Sequence, residues 1–394
     1  MSTKQKILLV DKSFAYGGIQ TSLINLVDAL KDRYDIDVLM FYGEGELKSR
    51  FPAGVRLLRP SFFVRLHGMT LADAKRTKNP LVILFRYLFA ISDKLFTNRL
   101  SVAFSLLFQP VLKGYDAAIA FHQEDSPKAI VSGFYRFVLK RTDAPVKLGW
   151  VHYDPRRVSY DDTANVKYMK QMDRIVCVSK GCSEVFAAAH PELAEKITYC
   201  YNFHDADRIR KLSEQSPAVP MDEQAFCCFS ACRLTAEKAL VRAINALADT
   251  FRRHRDIKWY IAGDGSERED IASTILSNEL EEQIVLLGSQ ENPFSYMRRA
   301  DLYLQVSEHE AAPMVFTESL LCGLPVLATK TISAEECIFP QYGLICENSA
   351  TALATAFAGL MEDRGIVAEW KQNLKDYTAS AETNVARFAD LLKH

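Results

Sequence analysis

The feature that most constrains this chain is an alternation, run twice, of short apolar segments with stretches of helical period. In the second half the apolar segments fall at 226–230, 258–262, 284–287, 302–306 and 326–328. Between them, 238–253, 267–277, 293–299 and 314–322 read as helices, and the tail from Ser349 onward is helical by period. In the first half, strand-like segments fall at 6–10, 37–42, 55–58, 117–121, 148–151 and 174–178. Ile19, Leu23, Leu26, Val27 and Leu30 mark the first helix. Strands that alternate with helices pair into parallel, doubly wound sheets, so the expected fold class is α/β.

Two such sheets suit a chain of 394 residues, which is too long for one ordinary core. The segment 205–224 is polar and carries Ser213, Ser216, Pro217 and Pro220, which reads as a linker. The expected domains are therefore 1–204 and 225–372, followed by a terminal helical segment, 373–394. Lys4 and Lys6 lead straight into the first strand, so no secretory leader is expected. The nine cysteines form no Cys-x-x-Cys pair, and Cys177, Cys227 and Cys228 lie in apolar runs. Reduced, buried thiols and a cytoplasmic location are the expectation, with no zinc site.

The formal charge of −1 conceals an asymmetry. Residues 1–211 hold 32 lysines and arginines against 22 acids, and the remainder 16 against 27. A basic first half suggests that it faces something anionic. The excess is concentrated in 56–115, with ten basic residues and two acids, Asp73 and Asp93. Within it, 81–112 is apolar and aromatic, and its longest uncharged run, 100–112, has 13 residues, too short to span a bilayer. Two readings fit this stretch equally: a core helix pair, or amphipathic helices lying on an anionic inner membrane leaflet. No base-reading motif accompanies the charge, so nucleic acid is not an expected partner.

Chemistry-bearing residues gather where strands end. Glu310 follows the strand 302–306, and Glu318 lies in the helix that Pro313 opens and Gly323 with Pro325 closes. Taken alone, such a pair is most often a solvated loop carboxylate and a surface helix carboxylate. In an α/β sheet, however, ligands bind at the strands' carboxyl ends. There one carboxylate can accept from sugar hydroxyls and the other from a ribose. Arg233 and Lys238, five apart after the strand 226–230, can reach one diphosphate, the first as a fork and the second as a mobile point charge. The amides of Met314 and Val315 after Pro313 open a helix and suit an anion. Gly263 and Gly265 end another strand, where glycine serves either a close ligand approach or a plain turn.

In the first half, Gly17 and Gly18 lie between the first strand and the first helix and leave room for a phosphate or a sugar. They do not form Gly-x-Gly-x-x-Gly, and no acid ends the second strand, which disfavours a dinucleotide. His152 ends the strand 148–151, and His122 and Glu124 follow 117–121 as lesser candidates.

The run from Ser307 to Val326, with its two glutamates and closing Gly323-Leu324-Pro325-Val326, resembles the signature of retaining glycosyltransferases of family 4, which have the GT-B fold. Arg233-Leu234 with Lys238, Gly263 with Gly265, Gly17-Gly18 and His152 resemble further elements of that family. Where the family carries Gly-Phe after the first glutamate this chain has Ala311-Ala312, a departure beside the donor sugar, and Lys238 is followed by Ala239 instead of glycine.

The resemblance implies two Rossmann-like domains facing across a cleft, the first for the acceptor and the second for the nucleotide-sugar, with the last helix returning to the first. It implies a metal-independent transfer with retention from a nucleoside-diphosphate sugar, UDP-sugar before GDP-sugar, with no cofactor. In this reading Arg233 and Lys238 hold the diphosphate, and Glu310 orients the sugar. Glu318 holds the ribose, and Gly265, Ala312, Met314 and Val315 line the donor. His152 with Gly17 and Gly18 serve the sugar's other side. The acceptor is a glycan, lipid-linked in bacterial surface polysaccharide synthesis such as capsule or lipopolysaccharide. Alternatives are a nucleotide-sugar 2-epimerase of the same fold and a non-catalytic partner of another transferase.

Overall fold

A computed structural model describes residues 4–124, 126–156, 163–379 and 381–393. The chain divides into two compact units, Met1–Phe203 with Ala381–His394, and His204–Ser380.

The first unit is built on a parallel sheet of β1 (Lys6–Ser13), β2 (Asp35–Tyr42), β3 (Arg56–Leu58), β4 (Ala117–Ala120), β5 (Val146–Val151), β6 (Arg174–Cys177) and β7 (Ile197–Tyr199). Their order is β3-β2-β1-β4-β5-β6-β7. Ile7, Leu8, Leu9 and Val10 are all fully buried, as a parallel sheet covered on both faces requires. Strand order reverses between β1 and β4, so the crevice for a ligand lies beyond Ser13 and Phe121. The helix Ala381–Leu391 packs within this unit, with Phe388 5.8 Å from the Tyr34 ring and 6.4 Å from that of Trp150.

The second unit repeats the plan with β8 (Phe226–Ala231), β9 (Ile257–Ala262), β10 (Ile284–Gly288), β11 (Leu302–Gln305), β12 (Val326–Thr329) and β13 (Gly343–Cys346). All are parallel, in the order β10-β9-β8-β11-β12-β13. Alternate residues feed two cores: Cys228, Trp259 and Leu304 join one, while Phe229, Tyr260 and Tyr303 join the other. Its switch point lies between β8 and β11. The segments 232–238 and 306–313 therefore meet at one crevice.

The structure corrects the expected linker. Within 205–224 it forms a helix, Ala206–Ser213, whose first turn is capped by the Asp205 carboxylate accepting from the Arg208 amide at 2.9 Å. Ile209 is buried in the second unit's core, and the Asn292 side chain donates to the Leu212 carbonyl at 2.9 Å. One apolar anchor per turn suffices to dock a polar helix, a signal too weak to outweigh its serines and charges. The short edge strands β7 and β13 lie outside the expected set; only half-buried at most positions, they carry a weaker apolar signal than the central strands.

Candidate functional site

At the second unit's switch point Lys238 and Glu310, 72 positions apart in sequence, form an ion pair with Nζ 2.5 Å from Oε1. The same carboxylate oxygen accepts from the Gln305 amide at 2.8 Å and the Ser307 hydroxyl at 2.9 Å. Both partners are largely withdrawn from water, at 15% and 12% side-chain exposure. Burial alone would lower the Lys238 pKa. The charge and hydrogen bond of Glu310 outweigh it and hold the ammonium above the ordinary lysine value. The lysine is therefore a fixed cation at neutral pH.

The surrounding loops are pinned from several sides. The Glu308 amide donates to the Glu237 carbonyl at 2.9 Å, joining the loop after β8 to the loop after β11. The Thr329 hydroxyl donates to the Ser307 carbonyl at 2.7 Å, and Arg242 donates to the Val306 carbonyl at 2.9 Å and to Asn348 Oδ1 at 2.8 Å. The Tyr303 hydroxyl accepts from the Ala231 amide at 3.0 Å and donates to its carbonyl at 3.1 Å. Burial keeps that phenol from ionising. Gln305, Ser307, Arg242 and Asn348 were missed by the sequence reading. Only the polar pair Gln305 and Ser307, at the end of an apolar strand, offered a signal.

The other predicted residues fare differently. Arg233 is 71% exposed and, among the described residues, reaches only Glu237, at 3.4 Å, so the two cations of the expected clamp are unequal. Glu318, far from being a solvated helix carboxylate, is 9% exposed. Ala312 is half-buried in the loop before the helix Met314–Leu321. That helix begins after Pro313 with no side-chain cap, so the first amides, of Met314 and Val315, are not covered by a capping side chain.

Gly265 receives an explanation that needs no ligand. A Cβ there would lie 2.2 Å from the Leu234 carbonyl oxygen. At Gly263, with φ +142°, a Cβ would lie 1.8 Å from that of Cys232. The turn approaches the chain's own backbone.

Ala239 explains why the expected helix 238–253 starts late. A 3-10 turn, Ala236–Lys238, ends at Ala239 with φ 52° and ψ 32°, and the α-helix runs Leu240–Arg253. Left-handed backbone favours glycine, the residue the family carries here. Ala239→Gly is expected to raise the unfolding free energy by up to about 1 kcal/mol. A urea midpoint shifted downward would contradict this.

His152, Gly17 and Gly18 belong to the first unit. The His152 amide donates to Gln123 Oε1 at 2.8 Å, and Nε2 lies 2.9 Å from the Phe121 carbonyl oxygen, to which it donates. Burial pushes this imidazole down to about 3, so it is neutral at physiological pH with Nδ1 as its acceptor. Nearby at the same switch point, His122 Nδ1 lies 2.9 Å from Oδ1 of the fully buried Asp11.

Glu124, a lesser candidate, is occupied structurally. Its carboxylate accepts from the Gly133 amide at 2.8 Å and the Tyr135 amide at 3.2 Å at a helix start. Gly17 is extended, with φ 176°, and a Cβ on it would meet only the tip of Gln20 at 2.8 Å. A Cβ at Gly18 would meet nothing within 4 Å. Nothing in the unit's own packing demands glycine at Gly18.

Two Rossmann-like units, each with a parallel sheet and a switch point, define the GT-B class of fold. Over 98% of its length the chain superposes on Anabaena HepE in complex with UDP and glucose, covering 99% of that chain with a TM-score of 0.67 at 19% identity. A mutant of S. aureus TarM in complex with Fondaparinux, alpha-GlcNAc-glycerol and UDP gives a TM-score of 0.67 at 13% identity, over 99% of this chain and 100% of that one. At such identities the likeness is one of fold. Residues 213–377 match the family model described as glycosyl transferases group 1, in keeping with the chain's resemblance to family 4.

Among curated relatives, an uncharacterized glycosyltransferase of Methanocaldococcus jannaschii is 24% identical over 41% of this chain and 41% of its own length. The Campylobacter jejuni N-acetylgalactosamine-N,N'-diacetylbacillosaminyl-diphospho-undecaprenol 4-alpha-N-acetylgalactosaminyltransferase is 27% identical over 56% of this chain and 60% of its own. The match thus spans about half the length of these relatives.

Proposed function

We propose that the protein transfers a sugar, with retention and without a metal, from a nucleoside-diphosphate sugar to a hydroxyl of a glycan acceptor. The observation that carries this reading is the Lys238–Glu310 pair at the second unit's switch point, with Gln305 and Ser307 on the same oxygen. Loss of a nucleoside diphosphate builds negative charge on the leaving oxygen, and a pre-positioned ammonium stabilises that charge without reorganisation. Arg233, exposed before the donor arrives, would fold onto the diphosphate as a bidentate fork. The three contacts on Glu310 Oε1 leave Oε2 to accept from sugar hydroxyls. Glu318 would accept from the ribose, and the Met314 and Val315 amides would face the diphosphate.

In the first unit, the Gly17–Gly18 turn and neutral His152, with Nδ1 as acceptor, are assigned to the sugar's other side. A uridine donor is favoured because the structural neighbours hold UDP. A lipid-diphosphate-linked acceptor is favoured by the diphospho-undecaprenol in the Campylobacter relative's name.

Incubation with a panel of UDP- and GDP-sugars, without acceptor or metal, tests the reading. Binding and slow nucleoside diphosphate release from one UDP-sugar are expected. Release of a free epimerised sugar would point to an epimerase, and no binding of any donor would leave a non-catalytic partner.

A further inference from the structure

The helices Pro80–Leu95 and Arg99–Leu107 are built inside out. On the first, Leu81, Leu84, Leu88, Ile91 and Leu95 recur at intervals of three and four, so they form one stripe, and each is 50–67% exposed. The opposite face is buried and carries two of the helix's three charges, Arg86 and Asp93, beside Val82, Phe89 and Ala90. Arg86, fully buried, donates to the Met69 carbonyl at 2.8 Å and the Ile130 carbonyl at 3.0 Å. Asp93, also fully buried, accepts from the Ser101 hydroxyl at 2.5 Å.

The second helix repeats the inversion. Ser101 and Ser105 point inward, while Leu100 and Leu107 are 65% and 72% exposed. Phe104 and Phe108 stand beside them, and Phe63, with ring centroids 5.1 and 4.9 Å from theirs and 5.3 Å from that of Phe85, makes the two helices share one apolar surface. Twelve of the eighteen exposed large apolar side chains among the described residues fall between Phe62 and Val111, so this is a patch and not scatter.

A water-facing helix turns its apolar stripe to the core and its charges outward. Here two neighbouring helices turn an apolar stripe outward while Arg86, Asp93, Ser101 and Ser105 are buried beside Val82, Phe89, Val102 and Leu106, so their outer surface is made for an apolar medium. We infer that this face docks in the plane of an anionic lipid leaflet.

Three observations select that occupant. The exposed cations Arg59, Arg65, Lys75, Lys78, Lys94 and Arg99 flank the apolar surface in sequence. Of the two acids between 56 and 115, Asp93 is buried and Asp73 is engaged in a capping box with Thr70. Anionic headgroups neutralise such a rim, whereas a second copy packed face to face would set cations against cations. The longer helix has 16 residues, and no helix among the described residues is long and apolar enough to cross a membrane, so the helices lie along the surface. The inference stands on this face alone and does not depend on the transfer reaction.

The test is flotation of the full chain with vesicles of phosphatidylcholine alone or with about one-third phosphatidylglycerol. Binding to the anionic vesicles is expected, weakened by salt, with little binding to the neutral ones. The combined variant Leu88→Glu, Ile91→Glu and Leu107→Glu replaces only exposed side chains. It should keep its melting temperature and donor binding while losing vesicle affinity about tenfold or more. No flotation of the parent protein at low salt, or equal flotation of the variant, would overturn the inference. A concentration-dependent dimer abolished by the same variant, without vesicle binding, would give the face to a second copy and overturn it as well.

Discussion

Glu310→Gln is expected to lower nucleoside diphosphate release by about 100- to 1,000-fold while the protein stays folded. The substitution keeps the shape and leaves an amide oxygen able to accept from Gln305 and Ser307. It removes the negative charge that pairs with Lys238 and would hold the sugar hydroxyls. The loss should appear in kcat more than in donor affinity, because most of the nucleotide's contacts lie elsewhere in the proposed site. Glu308→Gln is the matched control: Glu308 is exposed and, among the described residues, its carboxylate reaches only Arg242, at 3.4 Å. Equal activity of Glu310→Gln and the parent protein would remove the site assignment, and equal loss in both variants would point to a disturbed loop.

Lys238→Met is expected to produce the largest loss of stability, about 3–5 kcal/mol, by stranding the Glu310 carboxylate in a site that admits little water. Gln305 and Ser307 still donate to it, which sets the loss toward the lower end. The double variant Lys238→Met with Glu310→Leu should lose less than the single one, because no uncompensated charge remains. Urea unfolding of the four proteins gives the coupling directly. A loss in the double variant equal to the sum of the losses in Lys238→Met and Glu310→Leu would show that the pair contributes no coupling. Donor affinity gives a separate reading: Lys238→Met should bind UDP more weakly, and unchanged affinity would take Lys238 out of the diphosphate clamp.

The parallel sheets were legible because strand period and helix period alternate without interruption, and a chain with that pattern has few other ways to bury both. Elements with little apolar surface escaped. Helix Ala206–Ser213 carries a capping aspartate, Asp205, but its polar composition reads as linker until Ile209 is seen in a core. At the site, Glu310 and Lys238 were each marked by position after a strand. They were given separate tasks, the sugar and the diphosphate. Nothing local joins residues 72 apart; the strand order does, by setting β8 beside β11. Gly265 was ambiguous for the same reason, since its close neighbour is the backbone of Leu234 from another loop.

The sequence by itself determined the two parallel α/β units, the strand ends where polar residues gather, and the resemblance to family 4, because periodicity and spacing are local properties. Three matters were decided only by the tertiary structure. Lys238 and Glu310 became one ion pair, while Arg233 remained exposed. Ala239 was set in left-handed backbone by the turn that delivers Lys238. The stretch 81–112, apolar and aromatic and so open to two readings, was turned with Arg86 and Asp93 inward and with Leu81, Leu84, Leu88, Leu95, Leu100 and Leu107 outward. Direction relative to a core is a property of what packs against a helix, and no helix carries that information in its own period.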